Sequence, residues 1–72
     1  MKITYDTEAD AVYFKFRELA PGTAKCRELS DEIVADYGPD GKLAGIEILD
    51  ASHLFSADEL KRIVFEVAPV QA

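Results

Sequence analysis

The first side chains of this sequence that could take part in chemistry are three acids at alternate positions. Asp6, Glu8 and Asp10 have the spacing that opens a calcium-binding loop, which needs glycine at its sixth position and a bidentate glutamate at its twelfth. Ala11 and Arg17 stand at those two positions, and a cation in place of the last ligand speaks against a metal site. We therefore interpret Asp6 and Asp10 as residues that hold a tight turn, and we expect no metal and no other cofactor.

His53 and Cys26 are each the sole residue of their type. His53 is close to Asp50 and Ser52, but a catalytic triad is assembled by the fold rather than by closeness in sequence, and no Gly-x-Ser-x-Gly elbow surrounds any serine. One histidine and one cysteine also fall short of the three or four ligands of zinc. We interpret His53 as a surface or capping residue, and Cys26 as a small strand residue on the face opposite its cationic neighbours.

Asp36 and Glu47 are the carboxylates that strand alternation places on one face. Together with Asp6 and Asp10 they support an alternative function, a small enzyme or a ligand-binding or metal-binding protein that uses surface carboxylates. However, carboxylates on a solvated face usually serve solubility, and a glycosidase-like pair needs a cleft that so small a domain can hardly form. We expect that the protein is not an enzyme.

Alternation of apolar and polar residues predicts an antiparallel hairpin at the start of the chain. A four-residue loop over 7–10 pairs Tyr5 with Val12 and Ile3 with Phe14, so that all the large apolar side chains share one face. A five-residue loop would divide this set between the two faces. The shorter loop is therefore the prediction.

A second hairpin is predicted at the Gly38–Gly41 turn, where proline and glycine supply the required backbone angles. Closing the chain there predicts three cross-strand pairs: Tyr37 with Lys42, Ala35 with Ala44, and Ile33 with Ile46. The opposite face is apolar enough to be covered, and the C-terminal segment is the predicted cover. This same face is the predicted partner-binding surface, formed by Asp36, Glu47, Leu43 and Leu49.

Segment 23–29 carries charges and a weak apolar face, which are typical of an edge strand. Ser56 and Glu59 form a capping-box pattern that predicts a helix over about 57–62. Residues 63–67 are compatible with either a helix or a short last strand. The predicted fold is α+β: a small antiparallel β-meander of four to five strands in two hairpins with a short C-terminal helix, in a single compact domain over 1–72.

Charge and composition restrict the partners of the chain. Its 72 residues contain 8 Lys and Arg against 14 Asp and Glu, a net charge of −6, and residues 18–50 account for −5 of it. This charge argues against nucleic acid or an anionic membrane surface as a partner. The hydrophobic fraction of 49% predicts a folded chain, no apolar run is long enough to span a bilayer, and the single cysteine fits a reducing compartment. We expect a cytoplasmic protein.

The small size of the chain favours a second subunit. In so short a chain the burial of apolar surface roughly cancels the entropy cost of folding, and natural domains of this size often add a disulfide, a metal or a partner. With disulfides and metals unsupported, we expect a homo-oligomer, with a dimer favoured, or a basic protein partner that an acidic surface would attract.

Two parts of the sequence resemble the small prokaryotic family catalogued as domain of unknown function 2283. The first is Lys2–Tyr13, and the second consists of Val34–Tyr37, Asp40–Gly41, Leu43 and Gly45–Ser52, with Gly38 and Pro39 departing from the acidic turn that is commoner in the family. The resemblance implies a compact β-rich domain with no established activity and no catalytic residues to transfer. Genes of this kind sometimes lie beside toxin-like partners, so the resemblance also suggests an antitoxin-like protein. The leading hypothesis is thus a non-enzymatic interaction module.

Overall fold

The computed structural model describes residues 1–69 and contains a five-stranded antiparallel sheet followed by two short helices. The predicted α+β class is confirmed. The strands and helices are β1 Lys2–Asp6, β2 Ala11–Lys15, β3 Lys25–Glu28, β4 Ile33–Tyr37, β5 Leu43–Ile48, α1 Ala51–Leu54 and α2 Ala57–Lys61.

The two predicted hairpins, β1–β2 and β4–β5, lie side by side in a sheet of order β1-β2-β5-β4-β3. The neighbour of β2 is therefore β5, and not β3 as in a strictly sequential meander. Side-chain character explains this order. Every residue of β3 is exposed and three of the four are charged, which suits an edge, whereas β5 is rich in apolar residues and lies inside the sheet.

The first hairpin has the predicted register. Tyr5 is opposite Val12, and Ile3 is opposite Phe14. The loop between these strands ends at Asp10, which has a left-handed backbone with φ of 51°. Asparagine and aspartate tolerate this conformation better than most residues do, so Asp10 suits the end of the loop.

The second hairpin differs from its predicted register, and the three predicted pairs are wrong. Ile33 is opposite Ile48 and Ala35 is opposite Ile46, with a bulge between Asp36 and Tyr37. The turn is longer than predicted because it includes Lys42, whose backbone carbonyl accepts from the Gly38 amide at 2.9 Å and from the guanidinium of Arg17 at 2.8 Å. The observed partners of Ile33 and Ala35 each lie two residues further along β5 than the predicted partners, so the side chains of Ile33 and Ala35 stay on the predicted face.

Directly paired residues define an apolar face of the sheet, formed by Ile3, Tyr5, Val12, Phe14, Ile33, Ala35, Ile46 and Ile48. The core beneath it is small. Among the described residues, the buried hydrophobic side chains are four alanines and Val12, and no large side chain is fully buried. The Cα radius of gyration is 14.1 Å, against about 11 Å for a compact chain of this length.

The predicted C-terminal helix is confirmed as α2. Its capping box is complete, since Ser56 Oγ accepts from the Glu59 amide at 3.1 Å and Glu59 Oε1 accepts from the Ser56 amide at 2.9 Å. The short helix α1 was not predicted. The C-terminal segment lies on the side of the apolar face, where Phe55, Leu60 and Ile63 line one groove together with Ile3, so the prediction that it covers the opposite face is wrong.

The apolar face carries more large apolar side chains than the opposite face does, which explains why Leu60 of α2 is turned toward that side of the sheet. Beyond the C-cap Arg62, residues 63–69 have no regular secondary structure. Residues 63–67 therefore form neither of the two elements that the sequence allowed, a helix or a strand. No helix within residues 1–69 is long and apolar enough to cross a membrane.

Candidate interaction surfaces

A cluster of polar side chains lies on the face of the sheet opposite the apolar face. It consists of Tyr13, Cys26, Asp36 and Glu47, and we call it the polar cluster. Tyr13 is opposite Glu47, and Asp36 is opposite Cys26. The predicted placement of Asp36 and Glu47 on one face is therefore confirmed.

Gly45 makes this arrangement possible. It stands opposite Asp36 and is buried beneath the ring of Tyr13. A β-carbon at this position would lie 2.8 Å from Tyr13 Cζ and 2.9 Å from the backbone oxygen of Phe14. The absent side chain thus leaves the space through which Tyr13 crosses β5 to reach Asp36.

Asp36 accepts a hydrogen bond on each carboxylate oxygen. The Tyr13 hydroxyl donates to Oδ2 at 2.7 Å, and the Cys26 thiol donates to Oδ1 at 3.0 Å. The bond to Asp36 is the main reason that the pKa of Tyr13 rises to about 12, and the same carboxylate raises the pKa of the Cys26 thiol. Both donors therefore stay protonated at neutral pH.

These protonation states determine what the polar cluster can do chemically. A thiol with a raised pKa is a poor nucleophile, because the thiolate is the reactive form. Asp36 links β2, β4 and β3 through two hydrogen bonds, so the contacts of the cluster are structural. Glu47, which is half-buried, adds negative charge beside them and also contributes to the raised pKa of Tyr13.

The two predicted leucines lie at the ends of β5. Leu43 is opposite Tyr37 beyond the bulge and is 40% exposed. Leu49 follows β5, is half-buried, and donates its backbone N–H to the Glu32 carbonyl at 2.7 Å. The structure thus brings Asp36 and Glu47 together at the middle of the sheet and places the two leucines at either end of the same strand.

The carboxylates of the first hairpin have structural partners. Asp6 Oδ1 accepts from the amides of Glu8 and Ala9, which is the turn role predicted for it. Asp10 does more than close the hairpin, because its carboxylate accepts from the Ser52 hydroxyl at 2.6 Å and from the Tyr5 hydroxyl at 2.7 Å. These two bonds, led by that of Ser52, lower the pKa of Asp10.

Asp10 in this way ties the first hairpin to the start of α1, which has no side-chain cap from its own N-cap residue. His53 lies in the last turn of α1 and is exposed, as its surface interpretation predicts. Within residues 1–69, no group of three or more histidine, cysteine, aspartate or glutamate side chains is arranged to hold a metal ion.

Arg17 and Asp40 form a two-pronged ion pair that the spacing of the sequence did not reveal. The guanidinium donates to the two oxygens of Asp40 at 2.9 and 2.7 Å and lowers the pKa of that carboxyl to about 2. Arg17 also donates to the carbonyls of Lys42 and Leu43. It therefore holds the second hairpin turn against the end of β2.

An open apolar groove lies on the other side of the sheet. We call it the apolar groove; it has a volume of about 210 Å³ and is lined by Ile3, Tyr5, Val12, Phe14, Phe55, Glu59, Leu60 and Ile63. The strand residues of the apolar face form its floor, and α2 forms one wall. The sequence patterns identified the residues of the floor. They did not predict the groove, because they placed the C-terminal segment on the opposite face of the sheet.

The fold is thus a small antiparallel α+β domain with a polar cluster on one face and an open apolar groove on the other. The family model described as a protein of unknown function (DUF2283) matches residues 2–52, so the chain belongs to this family. A search of the curated proteins and a search of the solved structures each found no match.

Proposed function

We propose that the chain is a protein-interaction module that acts by self-association, with the apolar groove as its contact surface. The observation that carries this proposal is the incomplete burial of the apolar face. Tyr5 is 38% exposed, while Ile3, Phe14 and Leu60 are only half-buried in an open groove. A second copy of the chain would remove these side chains from water.

The expected gain is large relative to the stability of a small domain. Fully burying one large apolar side chain contributes about 1.5–3 kcal/mol, and a typical domain is stable by only about 5–15 kcal/mol. The described core consists of four alanines and one valine, so this chain has little burial of its own to depend on. Association would supply the missing burial.

Sedimentation of the full chain over a wide concentration range tests the proposal. We expect a concentration-dependent dimer, and we expect Leu60→Ser to weaken it because Leu60 lines the apolar groove. The matched control is Leu54→Ser, since Leu54 is 55% exposed in α1 and does not line the groove. A folded monomer at every concentration contradicts the proposal.

A basic protein partner is the second candidate, favoured by the polar cluster. No lysine or arginine within residues 1–69 forms an ion pair with Asp36 or Glu47, while the chain carries a net charge of −6. An antitoxin-like role would use such a surface, with Leu43 and Leu49 as its proposed apolar contacts, because opposite charge steers partners together.

A titration with a lysine-rich peptide tests this second candidate. We expect salt-sensitive binding that Glu47→Lys weakens more than Asp58→Lys does, because Glu47 lies on the sheet beside Asp36 and Asp58 lies on α2. Equal weakening by the two variants would show that only the net charge matters and would contradict a specific site.

A further inference from the structure

The segment that follows α2 has the pattern of a strand but no partner. In Ile63–Val67, Ile63, Phe65 and Val67 alternate with Val64 and Glu66, and these β-branched and aromatic residues favour strands. The four apolar side chains are 60–83% exposed. No backbone hydrogen bond of the described chain involves residues 63–69.

The sheet has two edges to which such a segment could add, and they differ in character. At β3 the edge presents Lys25, Arg27 and Glu28, and charged residues protect an edge against pairing. At β1 the edge presents Ile3 and Tyr5 on the apolar face, next to the apolar groove. The β1 edge is therefore the better acceptor for an apolar strand.

Charge selects one register at this edge. In an antiparallel pairing with Phe65 opposite Ile3, Ile63 lies opposite Tyr5 and Glu66 lies opposite Lys2. The large side chains then extend the apolar face, and the charged pair is of opposite sign, which stabilises cross-strand pairs. Shifting this pairing by two residues in either direction moves Glu66 away from Lys2.

The parallel pairing that places Ile63 and Phe65 opposite Ile3 and Tyr5 is unfavourable. With Ile63 opposite Ile3, it places Arg62 opposite Lys2 and Glu66 opposite Asp6. Both are like-charged pairs, which destabilise a sheet.

We propose that residues 63–67 of one copy add to the β1 edge of a second copy as an antiparallel sixth strand, reciprocally. This inference rests on the proposed self-association and names its contact. The partner is a second copy because the segment leaves its own β1 edge unused. Ile63 lines the groove together with Ile3, yet Val64, Phe65 and Val67 remain 74–83% exposed. A reciprocal exchange also has the two-fold symmetry common in dimers.

A charge exchange in the full chain tests the register. Lys2→Glu and Glu66→Lys should each raise the dimer dissociation constant about tenfold, because each turns two attractive pairs per dimer into repulsive ones. The double variant should restore the wild-type value, since the pair is re-formed with its signs reversed. Failure of the double variant to recover any affinity would overturn the register.

A second pair of variants tests the segment itself. Phe65→Ser should weaken the dimer at least tenfold, whereas Leu29→Ser, at a residue 53% exposed beside the other edge strand, should not. Amide hydrogen exchange over 64–67 should slow only at concentrations where the dimer forms. Slow hydrogen exchange of these amides in the monomer would overturn the strand exchange between two copies and would indicate that the segment pairs within its own chain.

The outcomes separate this inference from the proposed function. A dimer that Phe65→Ser and the charge variants leave unchanged overturns the strand exchange while the self-association stands. A wild-type chain that stays monomeric at all concentrations overturns both.

Discussion

Replacing Tyr13 with phenylalanine removes one hydroxyl from the polar cluster and leaves the ring over Gly45 in place. That hydroxyl donates to Asp36 at 2.7 Å. The pKa of Tyr13 is raised from 10.0 to about 12, so the fold favours the neutral hydroxyl over the phenolate by roughly 3 kcal/mol more than water does around a free side chain. The hydrogen bond to Asp36 is the largest cause of this preference. Burial of the phenolate and its repulsion by Asp36 and other acidic groups add to it, and these two effects do not act on the neutral hydroxyl at neutral pH.

The loss on mutation is therefore smaller than that figure. A hydrogen bond to a carboxylate contributes about 1.5–3 kcal/mol, and on a half-buried face, where water can replace the hydroxyl, we expect about 1–1.5 kcal/mol. For a domain of this size that corresponds to a fall of about 5–10 °C in the thermal midpoint. Circular dichroism at neutral pH measures it.

The matched control is Tyr37→Phe, because no side-chain hydrogen bond is found for the Tyr37 hydroxyl among the described residues. Its midpoint should be unchanged. Equal midpoints for Tyr13→Phe and the wild type at neutral pH would refute the assigned role of Tyr13.

The pH dependence gives a second readout. A folded-state pKa above the unfolded value means that the contribution of Tyr13 is complete below pH 10 and is lost as the pH rises toward about 12. The difference between the wild type and Tyr13→Phe should therefore shrink over that range. The chain has three tyrosines and no tryptophan, so its alkaline absorbance change reports the ionisation of tyrosines alone. Asp36→Asn should shift the ionisation of one of them, Tyr13, from about pH 12 toward pH 10.

Three further predictions concern other contacts. Gly45→Ala should destabilise the fold by about 1–3 kcal/mol in chemical denaturation, because the new methyl would lie 2.9 Å from the Phe14 carbonyl oxygen; an unchanged midpoint would contradict this close packing. Ser56→Ala should cost about 1 kcal/mol and lower the helical signal of α2, since it removes the cap; unchanged amide chemical shifts there would argue against the cap. The lowered pKa of Asp40 means that its contribution is present above pH 3.8 and lost toward pH 2, so acid titration of Asp40→Asn should lack that loss.

Local patterns were sufficient for much of the fold. The register of the first hairpin followed from placing Ile3, Tyr5, Val12 and Phe14 on one face, and the capping box located α2. The edge position of β3 followed from its charges. Each of these features depends on residues close in sequence or on a single face.

Features that depend on distant contacts could not be predicted in this way. The longer second turn is set by Arg17, whose guanidinium reaches the Lys42 carbonyl across 25 residues, and no local pattern shows that bond. The polar cluster needs β5 between β2 and β4, which places Gly45 beneath Tyr13. Only Asp36 and Glu47 of that cluster could be identified as sharing a face, because strand alternation alone relates them.

The mass of the full chain in solution tests self-association most directly. Sedimentation equilibrium from low to high micromolar concentration should show a shift from 7.9 kDa toward twice that mass, with Leu60→Ser shifting the transition to higher concentration. A mass of 7.9 kDa throughout, for a chain whose circular dichroism shows a folded sheet, would contradict it.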